Sequence, residues 1–232
     1  MPVENTVAEY KNRISIQVSL SGYSFISRTA EGEVRSPWLA PDRLFTTVEF
    51  QKRYDRVEIS LMTPKAALVP APFFDPSGVR AALAEVVSLR DSDAVEWVEV
   101  PSCGAVMLYS NSIDESLSSV ISGTVLDSGG HASKVYPELY WMIRSLDGCG
   151  EYNKIIASYM DGWLHLVVAQ GRTLLLANVY EAADFTTAEY FIFLALKSLQ
   201  LNPEISSISF RTPLAPEQEM SLYRYFKSVE VV

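Results

Sequence analysis

Histidine and cysteine are scarce in this chain, with two of each in 232 residues. Cys103 and Cys149 form no CxxC pair, and two thiols are too few for a disulfide framework. His131 and His165 lie far apart, with neither HExxH nor HxH spacing, so no metal site is expected. No apolar run approaches the roughly 18 to 20 residues that a membrane-spanning helix needs. Positive charge is short as well: 19 Lys plus Arg stand against 28 Asp plus Glu, a net charge of −9. The basic residues of Lys52-Arg53-Tyr54-Asp55-Arg56 and Arg211 are too sparse or too mixed with acids to track a phosphate backbone, which excludes nucleic acid as a partner. The first residues, MPVENTVAEYKNR, hold no apolar signal-peptide core, and a cytoplasmic location is expected.

What the chain does have is apolar residues, 48% of the total with a mean hydropathy of +0.10, enough for a sizeable core. They alternate at strand period over 13–20, 23–28 and 33–38, with turns at Ser21-Gly22 and Glu31-Gly32. Thr46-Thr47-Val48-Glu49 has capping-box spacing and predicts a helix start, and 57–62 returns to a strand that stops at Thr63-Pro64. The same order recurs later: strands over 154–160, 163–169 and 174–180 with turns at Asp161-Gly162 and Gly171-Arg172. A helix capped at Thr186 and running to Leu199 follows, then a strand over 207–210 that ends at Thr212-Pro213.

Gly22 falls on Gly162, Tyr23 on Trp163, and Phe45-Thr46-Thr47-x-Glu49-Phe50 on Phe185-Thr186-Thr187-x-Glu189-Tyr190 at one constant offset. Ile59-Ser60-x-x-Thr63-Pro64 meets Ile208-Ser209-x-x-Thr212-Pro213 at an offset nine longer. A period this long is a domain duplication rather than a solenoid. Between the copies, a helix over 75–89, strands over 95–100 and 105–109, and a helix over 113–121 belong to the first half. Asp127-Ser128-Gly129-Gly130 reads as a flexible joint, and 135–146 as a helix opening the second half. The expected units are therefore residues 1–130 and 131–232.

Three antiparallel strands, a helix and a strand, twice over, resemble the plan of the actin-like ATPases, whose ribonuclease H-like halves close on a nucleotide. More closely, 14–25 (ISIQVSLSGYSF) and the stretch from Leu174 through the 185–201 helix resemble a bacterial family of domains of unknown function associated with that fold; 68–70 and 223–225 fit it more weakly. The resemblance implies an α/β fold of two lobes, each with a mixed sheet and flanking helices. It also implies two hairpin turns that offer N–H groups to phosphates, each opening with an Asp for Mg²⁺.

The first turn, Val18-Ser19-Leu20-Ser21-Gly22-Tyr23, has no carboxylate. The second, Tyr159-Met160-Asp161-Gly162-Trp163, has one, but Asp-Gly between strands is first of all an ordinary hairpin turn, and a bulky Trp follows it. Where a glycine-rich adenosine segment should lie, 210–215 contains no glycine. The inward strand positions also lack the carboxylate cluster of two-metal nucleases.

No catalytic residue is assigned and no cofactor is expected. Ser21, Gly22, Asp161 and Gly162 remain as candidate cleft-turn residues. His165, within an apolar strand, reads as structural, and Cys103 in Pro101-Ser102-Cys103-Gly104 as a loop thiol without a His partner. Ser128 lacks the G-x-S-x-G frame of a nucleophile elbow. The leading expectation is a non-catalytic interaction or scaffold protein with a protein partner. A divergent nucleotide-binding protein, ATPase or sugar-kinase-like, is the alternative, and a small-molecule sensor using the interlobe cleft a third.

Overall fold

In the computed structural model, residues 12–112 and 115–232 are described; the chain start discussed above and Ile113, the predicted helix start, lie outside them. The meander is β1 (Arg13–Ser19), β2 (Gly22–Thr29) and β3 (Gly32–Arg35), followed by β4 (Arg56–Leu61). An inserted unit holds β5 (Ala66–Pro70), α1 (Val79–Ala84), β6 (Glu96–Val100) and β7 (Ala105–Tyr109). The chain continues through α2 (Glu115–Thr124), β8 (Val135–Pro137) and α3 (Glu138–Ser145). The second half is β9 (Asn153–Met160), β10 (Trp163–Gln170), β11 (Thr173–Glu181), α4 (Phe185–Ser198), β12 (Ser207–Phe210), α5 (Pro216–Leu222) and β13 (Ser228–Val231).

The duplication is physical. One sheet runs β3-β2-β1-β4-β8 and the other β11-β10-β9-β12-β13, the same order position by position; the insert forms a third sheet, β5-β7-β6. The alignment of the hairpins needs correcting, however. Ser19 pairs with Gly22 across the first turn and Met160 with Trp163 across the second, so Gly22 corresponds to Trp163, one position on from Gly162. The core settles the register: Ile14, Ile16 and Val18 face one core, and Ile155 and Ala157 the other, so only an odd offset keeps the apolar face inward. A one-residue slip turns every side chain to the wrong face of a strand.

The helix starts are also corrected. The first segment forms two 3-10 turns, Pro41–Thr46 and Val48–Gln51, and the Thr46 hydroxyl donates to Arg43 O at 3.0 Å instead of capping. Its buried apolar residues are Leu44 and Phe50, and the helical cover of that sheet comes from α2 through Leu117 and Ile121. In the second half Asp184, not Thr186, is the cap: it is extended, and its Oδ1 accepts from Thr187 N at 2.7 Å.

The helix predicted over 75–89 shrinks to α1, because Arg80 donates to Arg90 O and Asp93 O at 2.7 and 2.6 Å and folds the following chain back. Asp127–Gly130 is pinned rather than loose: Ser128 N donates to Tyr54 O at 2.8 Å and Asp127 N to His131 O at 3.0 Å. Residues 135–137, predicted as helix, pair with β4 as the fifth strand of the first sheet. No helix among the described residues is long and apolar enough to cross a membrane.

Candidate functional site: the cleft between the lobes

Polar residues of β1, β4 and β12 look into the cleft between the two main sheets. On β1 and β4, Ile14, Ile16, Val18, Val57, Ile59 and Leu61 point into the first core, which leaves Arg13, Ser15, Gln17 and Ser19, and Arg56, Glu58 and Ser60, on the opposite face. On β12, Ile208 and Phe210 point into the second core and leave Ser207 and Ser209 outward. Helix α3 bridges the lobes: Leu139–Ile143 pack on Ile156, Val167 and Ala169 of the second sheet, while Trp141 Nε1 donates to Ile59 O in the first at 2.9 Å.

Charge is buried at the centre. Glu138, at the start of α3, is fully enclosed, and its Oε1 accepts from Arg211 Nε at 2.8 Å and from the Ser158 hydroxyl at 2.7 Å. The Arg211 guanidinium also reaches Ser15 and Ser60 of the first lobe at 3.4 and 3.5 Å. Burial opposes ionisation of Glu138, but the Arg211 charge and the hydroxyls of Ser158 and Ser60 outweigh it and hold the carboxyl below the usual range. His165 lies nearby, fully buried, with Nε2 3.1 Å from Thr63 O. A carbonyl only accepts, so Nε2 carries the proton and the ring is a structural donor, as expected from its apolar strand. Burial pushes its pKa below the ordinary value.

The two hairpins meet at one end of the cleft. Asp161 Oδ2 accepts from Ser21 N at 3.0 Å and from the Ser19 hydroxyl. Ser21 Oγ in turn accepts from Trp38 Nε1 at 3.0 Å. Of the four candidate turn residues, Ser21 and Asp161 are thus brought into contact. Gly22 and Gly162 shape the turns behind them, at φ of +150° and +79°. At the end of β12 and just after it, Phe210 and Thr212 are fully buried, and Thr212 Oγ1 accepts from Tyr159 N at 3.0 Å, while Pro213 and Leu214 are half-buried and Ala215 is exposed. Cys103 Sγ donates to Val100 O at 3.5 Å, and burial pushes its thiol up, away from the reactive thiolate. Sequence reasoning missed the Glu138–Arg211 pair. Its only local signal was a lone acid opening the apolar run Leu139–Ile143.

Residues 4–229 match the family described as "Protein of unknown function (DUF3822)". A Bacteroides thetaiotaomicron VPI-5482 protein with actin-like ATPase fold and unknown function is similar at TM-score 0.66 and 16% identity, over 96% of this chain and 91% of that one. A chain of the PilM-PilN type IV pilus biogenesis complex is similar at TM-score 0.51 and 11% identity, over 95% of this chain and 88% of that one. No curated protein matches the sequence. Likeness at these identities establishes the fold, a two-lobed actin-like ATPase fold.

Proposed function

Because the chain belongs to the DUF3822 family of proteins of unknown function, we propose from its cleft that it is a non-catalytic interaction or scaffold protein, an actin-like fold without a working nucleotide site. The contact between Asp161 and the first hairpin carries this reading. The Ser21 N–H and the Ser19 hydroxyl stand where the resemblance places phosphate donors, and both are taken by a carboxylate of the same chain. A fixed negative charge there also repels a triphosphate. The first turn has no carboxylate for Mg²⁺, and the body carries −9.

The partner in this reading is another protein, and the location cytoplasmic. The PilM-PilN assembly is a protein complex that contains the same fold, which supports the partner reading. The lobes in this reading are residues 1–130 and 131–232, with β8 of the second unit pairing on β4 of the first.

Calorimetric titration of the whole chain with ATP and Mg²⁺ tests the loss of the nucleotide site. No binding at the hairpins is expected. Binding tighter than about 10 μM, roughly −7 kcal/mol, that disappears in Asp161→Ala would overturn the reading, because Asp161 would then be serving a nucleotide.

A further inference from the structure

At the opposite end of the cleft from the hairpins, where β1, β4, β9 and β12 begin, the lobes line a half-open cavity of about 500 Å³. That is the size of a small-molecule site. Six cationic side chains line it against Glu58, Glu151 and Glu230, in a chain whose net charge is −9.

Sheet stability does not account for the placement of these cations. Arg13 is the register partner of Arg28 on one side and of Arg56 on the other, so three arginines share one row on one face. Like charges directly opposite on neighbouring strands are destabilising. Arg28 is answered by Glu33, and Arg56 by Glu58 at 2.6 Å. Arg13, between them and exposed, has no carboxylate partner among the described residues.

Two cations of the other lobe share that condition. Arg144 donates to the Tyr140 hydroxyl at 3.0 Å and lies over the Tyr140 and Trp141 rings, and Lys154 Nζ donates to Leu146 O at 2.6 Å. Neither makes a close ion pair with a carboxylate among the described residues, although Glu58 and Asp147 act on Arg144 from farther off. Among the described residues, three positive charges from both lobes therefore line one cavity without an ion-pair partner, against two carboxylates of the same lining, Glu151 and Glu230, that likewise have none.

We propose that this cavity binds a small polyanion, its phosphate or carboxylate groups held by Arg13, Arg144 and Lys154. Guanidinium presents a planar fork that matches either oxyanion, and Lys adds a point charge. Because cations of both lobes hold it, the ligand clamps one lobe against the other. The proposal is independent of the non-catalytic reading, since the hairpins lie at the other end of the cleft.

Pyrophosphate and citrate, titrated calorimetrically at low ionic strength without divalent metal, test it and separate phosphate from carboxylate. At least one binds with a Kd below about 1 mM, and affinity falls as salt rises from about 50 to about 300 mM. Arg13→Gln and Lys154→Gln each weaken binding by roughly tenfold or more, while Asp161→Asn leaves it unchanged. Arg13 is exposed, so its variant folds, and an unchanged melting curve confirms this. No binding of either probe at about 10 mM, wild-type affinity in both variants, or loss in Asp161→Asn overturns the proposal. ATP-Mg²⁺ binding lost in Asp161→Ala but kept in Arg13→Gln would instead count against the non-catalytic reading alone.

Discussion

Ser21 and Asp161, 140 positions apart in the chain, meet across the cleft, the Ser21 N–H donating to Asp161 Oδ2 at 3.0 Å. The same carboxylate oxygen takes the hydroxyl of Ser19, a buried residue. Asp161 sits at φ +51°, which Asn tolerates about as well, so Asp161→Asn removes the charge without straining the turn. We expect Asp161→Asn and Ser19→Ala each to cost about 1 kcal/mol. Their double variant should lose less than the sum, because both delete one interaction. Denaturant unfolding of the cycle measures this, and strictly additive losses would show that the turns are not coupled.

The two glycines behind that contact should respond unequally. A Cβ on Gly22 would lie 2.0 Å from Leu39 O, at φ +150°. Leu39 cannot retreat freely, since Tyr23 N donates to its carbonyl at 2.9 Å and its N–H to Tyr23 O at 2.7 Å. On Gly162 the same Cβ meets only Ala182 O, at 3.7 Å, and the cost is the left-handed backbone alone. Gly22→Ala is expected to lose more than about 2 kcal/mol and Gly162→Ala about 1. Equal losses would contradict the packing assigned to Gly22.

Much of the fold was legible because strand period is a local signal. The alternation of Ile14, Ile16 and Val18 with Ser15 and Gln17, and of Ile208 and Phe210 with Ser207 and Ser209, marks strands with one polar face before any contact is known. The 3-10 turns at 41–51 were not legible, because a capping box reports what a helix would need and not whether the sheet is already covered by α2. The site was less legible still. The Glu138–Arg211 pair and the Arg28–Arg13–Arg56 row join distant segments, and no spacing within one segment encodes them. Equal spacing also misled: the matched glycines hid a one-residue slip that only the facing of Ile155 and Ala157 corrects.

The cap of α4 separates Asp184 from the threonine that follows it. Asp184 accepts the Thr187 N–H, and this bond holds its carboxyl below the usual range. Asp184→Ala should lower the melting temperature, whereas Thr186→Ala and Thr46→Ala should leave it nearly unchanged, since neither hydroxyl caps a helix. The contribution of Asp184 is present above its unfolded pKa, about 3.9, and is lost as pH falls through the lower folded value. A melting point that falls with Thr186→Ala and not with Asp184→Ala would move the helix start.

The buried centre should govern stability in acid. Glu138→Gln leaves the Arg211 guanidinium enclosed without its counter-charge, a loss of about 3 to 5 kcal/mol, whereas replacing both by Met should cost far less. Two groups respond to pH with the same sign. His165 is held neutral by burial, its folded pKa below the ordinary value of about 6.5. The folded chain thus takes up that proton less readily than the unfolded one, so stability is full above about 6.5 and falls as pH drops below it. Glu138 is held below the ordinary value of about 4.3, so its contribution is full above that and is lost as pH falls through the folded value. Stability should therefore decline in two stages on acidification. His165→Gln keeps a donor for Thr63 O and should flatten the upper stage, which sets in below about pH 6.5, while leaving the lower one. Denaturant unfolding at pH 7.5, 5.5 and 4, each about one stage apart, reads both. An unchanged slope in His165→Gln would assign the upper stage to another group.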